Sequence, residues 1–188
     1  MPAPIVNPLS LRLIPTTDPD SFLTLPPGTT GLPLLPHPGA FGFQREQHVH
    51  EGVDLYCPPG TAVHAVEAGT VVAVIPFAGP HAGRPWGLNA WVVLVEGASG
   101  VIAYGDLKPA VLPGVELKAK GFVGQVLQVL RDNHGGRPTA MLHLEMHTSG
   151  TLECAQWLDI GTRPPSLIDP TPTLLAIAGG TGGPAART

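Results

Sequence analysis

Pro59-Gly60-Thr61-Ala62-Val63-His64-Ala65, continued by Gly69-Thr70-Val71-Val72, reads as a turn, a short strand, a Gly break and a second strand. Val63 and Ala65 alternate with His64, the period of two of a strand with one buried face. An echo follows in Pro113-Gly114-Val115-Glu116-Leu117-Lys118-Ala119 and Gly124-Gln125-Val126-Leu127, which matches once one residue is inserted. It suits a pseudo-duplicated β sandwich or barrel, although two hairpins sharing turn chemistry would look alike as well. Working outward, residues 61–66, 69–75, 91–95, 101–104, 125–130 and 141–146 are strand-like. The expected class is therefore all-β and mainly antiparallel, with a short helical turn over residues 174–178.

Composition supports that reading. Gly (24) and Pro (23) make up a quarter of the 188 residues, but 43% of the chain is hydrophobic, so the breakers separate short apolar strands instead of marking disorder. The length suits one core with extensions. Residues 1–39 hold ten prolines and read as a Pro-rich extended arm whose Leu32, Leu34 and Leu35 can pack along a domain over residues 40–176, followed by a flexible tail over 177–188. Residues 77–89 and 131–139 read as long loops able to wall a binding site.

A net charge of −4 without a Lys/Arg run offers no footprint for nucleic acid or an anionic membrane surface, and neither partner is expected. No segment has the length of a membrane span. Met1-Pro2-Ala3-Pro4 lacks the basic start and apolar stretch of a secretory signal. The expected location is cytoplasmic by default, or outside the cell after lysis or non-classical release. Cys57 reads as a small buried hydrophobe opposite Asp54, and two cysteines are too few for a disulfide framework.

The chemistry-bearing residues are histidines and acids. His50-Glu51-Gly52-Val53-Asp54 sets an imidazole and a carboxylate on one side of an extended segment. In Met141-Leu142-His143-Leu144-Glu145-Met146-His147, alternation sends Leu142, Leu144 and Met146 into the core and Met141, His143, Glu145 and His147 to the other face. In Tyr104-Gly105-Asp106 the two side chains are expected to share a face. His64 reads as a solvent-facing strand residue. His134 and His147 read as exposed, with a secondary option of leaning toward a metal, and Arg84 and Trp86 are candidates for the wall of a groove for a peptide or sugar.

The order Phe43 to Arg45, His50-x-Gly52-x-Asp54, Pro59-Gly60-Thr61, Gly69-x-Val71, Tyr104-x-Asp106-Leu107 and Leu142-His143-Leu144-Glu145 resembles the lysostaphin-like (LytM-type) zinc endopeptidases over most of the chain. The resemblance implies a folded β-sheet core, zinc held by His50, Asp54 and His143, and action on peptides of bacterial peptidoglycan. Two imidazoles and a carboxylate suit zinc, and three protein ligands leave a fourth position open for catalysis. His48 could exchange roles with His50, but the spacing to Gly52 and Asp54 favours His50. Glu145 is placed to accept the second ring N–H of His143.

The chain departs from the family pattern at two places. Met141 and Asp106 stand where the family has proton-handling histidines. Met141 cannot exchange a proton. Asp106 is the one tentative catalytic residue: it can act as general base, orient water or become a fourth ligand. The expected function is a degenerate zinc-binding member, weakly active or inactive, which binds a cell-wall peptide, a sugar or a protein. An active peptidoglycan endopeptidase using Asp106 or a loop histidine is the alternative, and a metal-free β-sandwich interaction module the third reading.

Overall fold

Strand β10 (Met141–His147) lies inside the sheet and all seven of its residues are buried. Along one edge it pairs antiparallel with β7 (Gly100–Pro109). Along the other it pairs first with β3 (Val53–Tyr56), then with β11 (Leu167–Ile168). The sheet continues from β7 through β6 (Ala90–Gly97) and β5 (Gly69–Ala78) to β8 (Glu116–Leu117). β9 (Phe122–Val126) joins the far end of β7 and carries β4 (Ala62–His64), which makes nine strands in one sheet that does not close. This computed structural model describes residues 5–84, 87–131, 136 and 138–180. The class is all-β, as expected, with one α-helix among the described residues, α1 (Thr171–Ala178), in place of the shorter turn read from sequence. The tail beyond Gly180 falls outside the described residues.

The sequence echo has a structural counterpart. β4 pairs with β9 and β5 with β8, so each strand of one unit bonds to a strand of the other. Neither unit is a hairpin by itself. The reciprocal pairing gives both units the same need, a Pro-Gly turn feeding a strand, and accounts for their similarity better than shared turn chemistry does. The result is one folded, open sheet, neither a barrel nor a sandwich of separate large sheets.

The apolar faces of β10, β7, β4 and β9 meet in one core that holds Leu142, Leu144, Tyr104, Leu107, Val63 and Val126. Each Leu buried there stabilises the fold by roughly 1.5–3 kcal/mol relative to exposure. Cys57 lies in this core as a free thiol. The other face of β10 was expected to be open, yet Glu145 and His147 are 2% and 0% exposed. Residues from the segment between β10 and β11 cover it: Cys154 packs against the cluster that includes Val101 and Ala103 of β7. His64, read as solvent-facing, is half-buried, edge-on to Phe122 with Nδ1 buried.

The Pro-rich arm is more ordered than extended coil. β1 (Arg12–Thr16) and β2 (Thr29–Pro33) form a parallel two-stranded sheet, with Leu13 and Leu32 in the main core. Prolines are tolerated here because each strand of a two-stranded sheet keeps a free edge that needs no N–H donor. The arm is tied down by Thr30 Oγ1 donating to the Tyr56 carbonyl (2.5 Å) and His64 N–H donating to Pro8 (2.9 Å). It thereby brings Pro19, Phe22 and His37 to the cleft described next.

Candidate metal centre and cleft

Asp54 on β3 and His143 on β10 face each other directly across the ladder. His50 enters from the segment before β3. Its Nε2 lies 3.2 Å from His143 Nδ1 and 3.2 Å from Asp54 Oδ1, and the last two atoms are 2.8 Å apart. Three donor atoms thus converge from side chains no more than 7% exposed. Tetrahedral zinc with ligands at ~2.0–2.2 Å sets neighbouring donors at about this spacing. The donor set fits the ion by chemistry and by distance.

Each donor side chain is also held from behind. His50 Nδ1–H donates to the Ala40 carbonyl at 2.9 Å, which leaves Nε2 with its lone pair toward the centre. Arg45 donates to Asp54 Oδ2 at 2.9 Å, leaving Oδ1 free to point inward. His143 Nε2 donates to Glu145 Oε1 at 2.9 Å, the role expected for Glu145. Gly52 explains its own place in the motif: a Cβ there would lie 2.6 Å from the Leu144 carbonyl oxygen and 2.8 Å from His143 Nε2. Only glycine lets β3 begin beneath that ring. The Arg45 and Ala40 contacts were not legible in sequence, although Arg45 belongs to the motif order that carried the resemblance.

The electrostatics follow from this packing. Burial alone would raise the Asp54 carboxyl, but His50 and His143 outweigh it and hold Asp54 well below the ordinary carboxylate range. Burial would depress His143, but its hydrogen bonds to Asp54 and Glu145 prevail and lift it to about 10. Glu145, buried yet bonded to His143 and His147, falls to about 2. Without a metal the centre is therefore an imidazolium between two carboxylates. A cation binding at His143 Nδ1 replaces a proton there.

Asp106 stands apart. It is 6% exposed, lines the cleft with His143 and Met141, and lies outside the convergent group of donors. Burial raises its carboxyl to about 7, with Asp54 adding to the rise and His143 opposing it. The expectation that Tyr104 and Asp106 share a face is corrected. Trp91 pairs with Leu107 and Val93 with Tyr104, so β7 holds one extra residue there, and Asp106 takes φ 64°. This bulge sends Tyr104 into the core, where its hydroxyl accepts the Val66 N–H at 2.8 Å, and sends Asp106 into the cleft. Gly105 makes room, since a Cβ there would lie 2.7 Å from the Phe77 ring.

The cleft has a volume of about 550 Å³. Arg84 sits on its wall over the Phe77 ring, 5.5 Å from the centroid. His48 also lines it, with Nε2 3.9 Å from Glu51 and no place in the donor group. His147 is wholly buried, its Nε2 2.8 Å from Glu145 Oε2, which corrects its reading as exposed. Trp86 and His134 lie outside the described residues.

A model of peptidase family M23 matches residues 48–153, more than half of the chain and all three convergent donors. The chain belongs to peptidase family M23. The resemblance read from the motifs is borne out. No curated protein matches the chain significantly. Among solved structures, the M23 chain is similar to a zinc-containing peptidase from Vibrio cholerae (24% identity, TM-score 0.39, 52% of this chain and 26% of that one). It is also similar to CbpA of L. salivarius REN (17%, 0.49, 76% and 88%) and to the catalytic domain of the antimicrobial peptidase lysostaphin from Staphylococcus simulans (20%, 0.46, 73% and 87%). The chain thus spans about a quarter of the Vibrio protein.

Proposed function

We propose that this M23 domain holds zinc through His50 Nε2, Asp54 Oδ1 and His143 Nδ1 and binds a cell-wall peptide, a sugar or a protein in its cleft, with hydrolysis weak or absent. The observation that carries the reading is an asymmetry. Every donor of the triad is held from behind, whereas the positions beside it that the family uses for proton transfer hold Met141 and Asp106. Zinc bound there would supply a positive centre that polarises a carbonyl and acidifies water.

The chain's own residues do the rest. Ala40, Arg45 and Glu145 orient the three donors, and Arg84 presents a cation on the cleft wall to carbonyl or carboxylate groups of a ligand. Met141 neither gives nor takes a proton. General acid and base groups contribute about 10²- to 10⁴-fold each, so their replacement leaves slow turnover at most.

The experiment incubates zinc-loaded protein with purified cell walls and with glycine-bridge and stem peptides, beside an active family member. Retention on the walls without release of new amino groups is expected. Chelator-sensitive cleavage at a rate comparable to the active enzyme would overturn the reading. A second reading, an active endopeptidase with Asp106 as base, is favoured by the burial of that carboxyl and its rise to about 7 inside the cleft. Asp106→Asn decides it, because the substitution abolishes cleavage only under the second reading. A metal-free interaction module is excluded once elemental analysis finds zinc that Asp54→Asn removes.

A further inference from the structure

We propose that Glu145, His147 and Cys154 form a second cation site, selective for a borderline-soft divalent ion such as zinc or cobalt(II). Their donor atoms, a carboxylate oxygen, an imidazole nitrogen and a sulfur, all lie within 4.8 Å of one another. Glu145 Oε2 and His147 Nε2 are 2.8 Å apart, the shortest spacing found in the first triad as well. Sulfur, nitrogen and oxygen donors together are a zinc-type set, and three of them leave one position open.

Two further points separate this cluster from a chance meeting. Glu145 and His147 are almost wholly buried, yet Cys154 and Glu145 both line the cleft, so an ion has a way in. Burial and the neighbouring Glu145 carboxylate keep Cys154 a thiol in the metal-free chain, so a divalent cation would displace its proton and balance the thiolate formed together with Glu145.

Glu145 joins the two sites. Its Oε1 receives His143 Nε2–H and its Oε2 faces His147, so one carboxylate supports the first triad and supplies a donor to the second site. The second site needs neither the first metal nor any hydrolytic activity.

The test loads the full metal-free chain with cobalt(II) and counts the ion by elemental analysis while recording the near-ultraviolet spectrum. Two equivalents and a thiolate-to-cobalt charge-transfer band are expected. Cys154→Ser should lose one equivalent together with the band, and Asp54→Asn should lose one equivalent and keep the band. A wild-type protein without the band, or a Cys154→Ser protein that retains both equivalents, overturns the proposal and leaves a hydrogen-bonded cluster only. If Cys154→Ser does not fold, thiol labelling of the wild type read by mass spectrometry serves instead. Metal should protect Cys154 at least tenfold, and labelling of Cys154 at an unchanged rate overturns the site.

Discussion

The two sides of the cleft differ in how completely their polar groups are held. On the β3 side, Asp54 has both oxygens engaged, and His50 and His143 each have both ring nitrogens engaged. On the β7 side, Asp106 sits at a bulge in a left-handed conformation, its carboxyl raised by burial, and the other family proton-transfer position holds Met141, which lines the same cleft. A site that grips an ion needs its donors immobilised by a surrounding layer. A site that moves protons needs groups near their working pKa within reach of substrate. The first requirement is met by the triad's surroundings, and on the β7 side the second rests, among the described residues, on the Asp106 carboxyl.

The largest effect expected from attacking the gripped side is that of His143→Ala. It strips the imidazole from two buried carboxylates, Asp54 and Glu145. Metal-free stability should fall by about 3–5 kcal/mol in urea unfolding, and binding at the triad should vanish. An unchanged urea midpoint would remove the contrast between the two sides.

Gly52→Ala comes next, because its Cβ would collide with the Leu144 carbonyl and the His143 ring. A loss of about 1–3 kcal/mol is expected, with weaker zinc binding, since the ring must tilt. Zinc affinity equal to wild type, measured by competition with a chelating dye, would show that the ring's seat is looser than described.

Arg45→Ala should weaken zinc by roughly 10- to 100-fold in the same competition while leaving stability within about 1 kcal/mol, because the guanidinium is partly exposed and holds only the far oxygen of Asp54. Zinc affinity that does not change would mean the orientation of Asp54 comes from the backbone alone.

The last effect belongs to the ungripped side. With the Asp106 carboxyl raised to about 7 in the fold against 3.8 ordinarily, the folded chain keeps a proton that the unfolded chain releases between those values. The contribution of Asp106 to the stability of the metal-free protein should therefore be fully present below about pH 4, decline as pH rises toward 7 and level off above it. Asp106→Asn should flatten that slope. An identical slope in both proteins would place the titration elsewhere.

Local spacing determined much of this protein. Period-two apolar runs and Pro-Gly turns specify short strands because they satisfy a pleated sheet and no helix, and His50-x-Gly52-x-Asp54 with His143 carries its chemistry in a few adjacent residues. Family membership followed from the same motifs. Tertiary structure decided what depends on partners distant along the chain. The second face of β10 is buried because Cys154, eleven positions after His143, folds back over it. Asp106 parts from Tyr104 because β7 takes one extra residue where it changes neighbours from β10 to β9. The echoing units pair crosswise, and His50 and Asp54 are oriented by Ala40 and Arg45, which no spacing ties to them, whereas the support of His143 by Glu145 was legible in their alternation. Alternation reports on one strand at a time. Burial, bulges and the layer behind a ligand arise only when several strands meet.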